Sequence, residues 1–159
     1  YYIRHITTAD LAKRVLPFLE KANIKTEYND YLVETTALIQ ERMKSLQEAP
    51  ELLDFFFMEP EYEKELLIPK KSDIETTKKA LVKCREVLSE LQVWEHDALE
   101  AALRKAATDM SLKSGQILWP LRSALTGKSA SPGAFEVTLV LGKEACLKRI
   151  DKALEKLSA

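Results

Sequence analysis

At 159 residues the chain is long enough to bury one sizeable core or two small ones. Hydrophobic residues make up 46% and charged ones 31%, with a net charge of −1, a balance that reads as a soluble globular protein. No apolar run approaches the roughly 20 residues of a membrane span and no signal peptide opens the chain, while a start at Tyr1 rather than Met marks an expected fragment.

The periodicity is helical almost throughout. Thr7 or Thr8 starts a segment with Leu11, Val15, Phe18 and Leu19 on one face, and Pro17 inside it is expected to kink or shorten it. Asn29-Asp30 open a longer segment through Tyr31, Leu32, Ala37, Leu38, Met43 and Leu46, ending near Ala49-Pro50. Leu52-Leu53 and Phe55-Phe56-Phe57 form the most apolar run, a short buried helix, and Pro60 and Pro69, with Lys70-Lys71 behind, mark a loop region. Ser72-x-x-Glu75 is a capping box for a long helix through Ile74, Leu81, Cys84, Leu88 and Leu91, and Asp97-x-x-Glu100 repeats the device for a helix through Leu99, Leu103 and Ala106. Gly127 sits where the following helix ends, and Pro132 fits the first turn of another after a Ser131 cap. The Phe135–Leu141 run has β-branched content suited to a strand, but its flanking Pro132-Gly133 and Gly142 suit a short helix, and a helix is expected; Lys143-Glu144 open the last one. The expected fold is all-α, in two helical subdomains over residues 1–71 and 72–159, with a single continuous core as the alternative.

Charge is unevenly distributed. Residues 1–103 carry 14 Lys/Arg against 20 Asp/Glu, whereas residues 104–159 carry 10 against 5. The last third is where a polyanion would go, although a basic helical face accounts for the charge equally well. Cys84 and Cys146 lie far apart without a CxxC or a His at ligand spacing and read as reduced, buried thiols. No catalytic constellation emerges, and no metal site is expected. Gly127-Lys128-Ser129 lacks the earlier glycine of a phosphate-binding loop, because Arg122 stands there. His5 and His96 are isolated, and Glu61, Glu63 and Glu65 read as a solvated face.

Trp119-Pro120-Leu121-Arg122-Ser123-Ala124-Leu125-Thr126-Gly127, then Ser131-Pro132-Gly133-Ala134-Phe135, then Leu141-Gly142-Lys143-Glu144, resemble the signature of the C-terminal anticodon-binding region of bacterial-type (class I) glutamyl-tRNA synthetases. Weaker matches extend over nearly the whole chain: Tyr2-Ile3-Arg4, the Leu38–Leu46 stretch with its Glu41-Arg42 pair, Phe55-Phe56-Phe57, and Lys113-Ser114-Gly115. The resemblance implies tRNA anticodon recognition by helices within an enzyme that attaches glutamate to tRNA. ATP and Mg belong to its catalytic domain, whose HIGH-type and KMSKS-type motifs are absent here, so no cofactor is expected in this chain. It further implies a monomer with no membrane association, cytoplasmic in a bacterium or organellar. The partner is the anticodon loop of tRNA(Glu), with tRNA(Gln) left open. The competing reading is a helical protein-interaction module that keeps the fold without binding tRNA.

By the same resemblance, Arg42 reads the third anticodon base. Glutamate anticodons end in cytosine, which offers O2 and N3 acceptors side by side; glutamine anticodons end in guanine, whose N1–H and N2–H donors face a guanidinium head-on. The alternative for Arg42 is an exposed helical arginine paired with a nearby carboxylate. Arg122, Ser131, Pro132 and Ala134 are matched to the site of the first base, where a helix start with unpaired backbone N–H groups suits a base edge or phosphate. Ser131 and Ala134 depart from the commoner Thr and larger apolar residue, which loosens packing on that base. A ligand-free helix-start turn is the alternative for Pro132 and Gly133. Trp119 falls on an apolar face with Leu118 and Leu121, which favours the core over a stacking platform.

Overall fold

The computed structural model describes residues 2–159, with side chains from Ile3 onward; Tyr1, and the side chain that opens the Tyr2-Ile3-Arg4 match, lie outside the described residues. Those residues are all-α, with no strand among them. Among the described residues no helix is long and apolar enough to cross a membrane. The chain divides into two compact units, one ending at Glu59 and the other spanning Pro60–Ala159.

In the first unit, polar caps set the helix limits. After the short α1 (Tyr2–His5), the Thr7 side chain accepts from the Asp10 N–H at 3.2 Å and opens α2 (Thr8–Lys21). Pro17 does not shorten α2: it and Lys13, whose carbonyl loses its helical donor there, both stand on the exposed face, where water can serve that carbonyl. Asn23 (φ 63°) ends α2 in a left-handed turn, with its N–H on Glu20 O at 3.0 Å and the Ile24 N–H on Leu19 O at 2.9 Å. The Asn29 side chain accepts from Leu32 N–H at 2.8 Å and opens α3 (Asp30–Ile39). The helix expected to continue to Ala49 stops at Ile39 instead, and a turn followed by a single 3-10 turn (Leu46–Glu48) leads into α4 (Ala49–Phe57). Leu11, Val15, Leu19, Leu32, Ile39, Leu53, Phe55 and Phe56 form the core, each worth about 1.5–3 kcal/mol of burial.

In the second unit α5 (Ile74–Glu90) packs on α6 (His96–Asp109), α7 (Ser114–Thr126) and α9 (Lys143–Ser158), and α7 also meets α8 (Ala134–Leu141). Asp73 caps α5 through the Thr76 N–H at 2.7 Å, one residue later than the Ser72 box implied. Likewise α6 starts at His96 rather than on an Asp97 cap. The core comprises Leu67, Leu81, Leu88, Leu99, Leu103, Ile117, Leu121, Leu125, Val137 and Ile150, with both cysteines buried and free. Burial pushes the Cys84 and Cys146 thiols up to about 12, so neither is a nucleophile near neutrality.

The boundary falls at Pro60, upstream of the expected Pro69–Ser72, because the intervening segment is anchored to the second unit. Leu67 is fully buried, Trp119 donates its indole N–H to Leu66 O at 2.9 Å, and Lys156 donates to Tyr62 O at 3.1 Å. Gly127 closes α7 at φ 67°, and a Cβ there would come within 2.6 Å of the Pro60 Cβ, so both its conformation and its neighbour demand glycine.

Candidate nucleic-acid interface

The Leu121-Arg122 turn of α7 places a guanidinium over the loop that follows it. Arg122 Nη1 donates to Ser131 Oγ at 3.1 Å and Nη2 to Ser129 O at 3.1 Å, while the guanidinium lies 5.1 Å from the Trp119 ring centroid. Ser131 Oγ in turn donates to Pro132 O at 2.9 Å. Thr126 Oγ1 holds the near end of the loop by accepting from the Lys128 N–H at 3.1 Å. The structure therefore brings together four of the matched residues, Arg122, Ser131, Pro132 and Ala134, around one loop. Ser131, Pro132 and Ala134 are buried as its floor, whereas Gly133 and Ser129 are exposed.

The start of α8 differs from expectation. Gly133, not Ser131, is its N-cap, so Pro132 precedes the helix, and no side chain caps it. The Glu136 carboxylate folds back over Gly133, filling the space a Cβ would take, and sits 3.4 Å from His96 Nε2. The positive end of α8 thus already faces an internal anion. Asp97 and then Glu136 hold the His96 imidazolium above its usual pKa of 6.5, against partial desolvation. Phe135 packs between the His96 ring, 5.8 Å away, and the Arg104 guanidinium, 5.4 Å away.

Arg42 belongs to the first unit and stands in the turn after α3, not on a helix face. Its N–H and that of Met43 both donate to Ile39 O at 3.0 Å. Met43 is buried, while the Arg42 side chain is exposed and makes no hydrogen bond or ion pair among the described residues. The carboxylate partner that the structural alternative required is missing. Downstream, Glu48 Oε2 accepts from the N–H groups of Lys44 and Ser45 at 2.6 and 2.9 Å, which holds its carboxyl below the usual 4.5.

A family described as the anticodon binding domain matches residues 10–154. The chain belongs to that family. Among curated proteins it is similar to a glutamate--tRNA ligase of Roseiflexus castenholzii, 42% identical over 99% of this chain, and to one of Solibacter usitatus, 41% identical over 98%. It spans 32% of the length of each of those relatives. Among solved structures, a glutamate tRNA ligase from Elizabethkingia meningosepticum in complex with its amino acid superposes with a TM-score of 0.79 at 22% identity. That superposition covers 98% of this chain and 30% of the other, a likeness of fold.

Within this anticodon binding domain, several features escaped sequence reasoning. Trp119 is half-buried rather than sunk in the core, and lines a groove of about 790 Å³ with Glu65, Leu66, Ile68, Pro69, Lys70 and Lys113. Its signal was the adjacency of an aromatic to the Pro120-Leu121-Arg122 element. The Leu141-Gly142-Lys143-Glu144 motif is structural: Gly142 turns the chain at φ 87°, and Lys143 Nζ donates to Leu91 O at 2.6 Å and Ser89 O at 3.3 Å, capping the end of α5. The grouping of metal-ligating types among the described residues, His96, Asp97 and Glu100, is engaged elsewhere, with Glu100 ion-paired to Arg104 at 2.8 Å and His96 to Glu136.

Proposed function

We propose that this chain recognises the anticodon loop of tRNA(Glu) as the C-terminal, anticodon-binding part of a glutamate--tRNA ligase. The observation that carries the proposal is the 42% identity to such a ligase, which runs through 99% of the chain and so through both units. In this reading ATP and Mg serve the ligase's catalytic region, and this chain, acting as a monomer, supplies tRNA selection. Arg42 reads the third anticodon base. Its exposed, unpaired guanidinium supports that role, since donors placed to meet the O2 and N3 acceptors of cytosine meet the N2–H and N1–H donors at the corresponding edge of guanine. The Arg122 cradle receives the first base: Trp119 and the guanidinium provide flat faces, and Ser131, Pro132 and Ala134 the floor.

Binding of the chain to anticodon stem–loops that differ only in the last anticodon base tests the reading. The cytosine-ended RNA should bind more tightly, with affinity falling as salt rises because phosphate contacts release counterions. Arg42→Gln, which offers both a donor and an acceptor, should shrink the preference by roughly tenfold while leaving the salt slope nearly intact. A salt-independent interaction with no preference would leave the fold serving as a protein-interaction module, and the proposal would be wrong.

A further inference from the structure

Gln40, the residue that ends α3, commits both ends of its amide to the segment that opens the first unit. Nε2 donates to Ile3 O at 2.9 Å and to Ile6 O at 3.0 Å, and Oε1 accepts from Thr8 Oγ1 at 2.7 Å. The assignment of oxygen and nitrogen follows from the partners, because a flipped amide would set its oxygen against two carbonyls. Beside it, Arg4 Nη2 donates to Glu41 O at 3.1 Å. The two Nε2 bonds satisfy the carbonyls of Ile3, within the short α1, and of Ile6, just beyond it. They also tie the turn carrying Arg42 to a segment more than thirty residues upstream.

The turn is gripped on its other side as well. Met43 is sunk in the core, the Arg42 N–H is held by Ile39 O, and the Lys44 and Ser45 amides close on the Glu48 carboxylate. Arg42 thus projects an exposed side chain from a turn held on both sides. We infer that Gln40 is the positioning residue for Arg42, fixing where the guanidinium can reach and so the sharpness of third-base discrimination. The inference rests on the reading of Arg42 above. A guanidinium must meet two adjacent acceptors within about half an ångström to discriminate, and a loosened turn widens that placement. An arginine's own torsions recover part of the loss, so the effect is smaller than removing Arg42.

The test is a double-mutant cycle on the chain, reading the ratio of Kd values for the guanine-ended and cytosine-ended anticodon stem–loops. Gln40→Leu keeps the volume and removes all three bonds; Thr8→Val removes only the one on Oε1. Each should lower the ratio by roughly two- to fivefold, Thr8→Val less, and neither should lower it further once Arg42→Gln is present. If Gln40→Leu does not fold, Thr8→Val carries the same readouts. A loss of affinity for both RNAs with the ratio unchanged, or effects that add to those of Arg42→Gln, would overturn the inference and make Gln40 merely structural. If Arg42→Gln alone leaves the ratio unmoved, the reading of Arg42 fails first and the inference falls with it. If Arg42→Gln collapses the ratio while Gln40→Leu and Thr8→Val spare it, only the inference fails.

Discussion

Two arginines, one in each unit, have the same chemistry and opposite commitments. Arg42 is held only through its backbone and leaves its guanidinium to solvent, whereas Arg122 has bonded its guanidinium to Ser131 and Ser129 and laid it near the Trp119 ring. A free guanidinium on a fixed turn can choose between ligands, because its donors are spent only when a ligand arrives. A guanidinium already bonded shapes the loop around it, and removing it alters the surface that a ligand meets. The order of the two in sequence carries none of this; the difference lies in which neighbours the fold supplies.

The comparison is tested most severely at the base of the Arg122 loop. Gly127→Ala forces a left-handed backbone on a residue with a Cβ and drives that Cβ toward Pro60, so we expect a loss of about 3 kcal/mol in denaturant unfolding. Gly115→Ala, in the first turn of α7 with open space around it, should instead stabilise by about 0.5–1 kcal/mol. The arginines themselves come next. Arg122→Ala should cost about 1–2 kcal/mol by releasing the Ser129 and Ser131 bonds, and Arg122→Lys should not restore it, since an ammonium cannot make the forked contact. Arg42→Ala should leave the melting temperature nearly unchanged. Equal losses at the two sites would erase the distinction.

The smallest expected effect is a pH dependence at the start of α8. His96 is held above 6.5 by Asp97, Glu136 and the nearby Glu100, so its contribution is fully present below 6.5 and is lost as the pH rises through the higher folded value. The stability of the second unit should therefore decline slightly as the pH rises above 6.5. His96→Gln should flatten that part of the profile in thermal melts. An unchanged slope would show that Asp97 and Glu136 together do not couple the imidazole to stability.

The helices and their caps were largely legible, because local chemistry decides them: Thr7, Asn29, Gly127 and Gly142 end or begin helices where the side chain or its absence requires it. The break at Ile39 was not. Leu38, Ile39, Met43 and Leu46 keep a helical period across it, and what overrides the period is Gln40 bonding distant carbonyls, a tertiary choice. One local signal was overlooked, the Ser45-x-x-Glu48 box that restarts the chain behind Arg42. Ser72-x-x-Glu75 was read correctly as a helix start but one residue early, since Asp73 is the stronger acceptor. For the site, the Pro120-Leu121-Arg122 and Ser131-Pro132-Gly133 elements pointed to one loop. That Arg122 is bonded within it, and that Glu136 covers the α8 start, depends on neighbours from other elements.

The Lys156–Tyr62 contact has a kinetic meaning. It joins residues 94 apart, and the lysine also lies 4.8 Å from the Tyr62 ring centroid. Closing so long a loop costs entropy that the assembled α5, α7 and α9 offset, so this clasp is expected to form after the helical body has collapsed. A contact absent from the transition state governs escape from the native state rather than entry into it. Shortening Lys156 would accordingly speed unfolding of the second unit while leaving its folding rate almost untouched, making the strap over Gly127 a brake on the chain's lifetime.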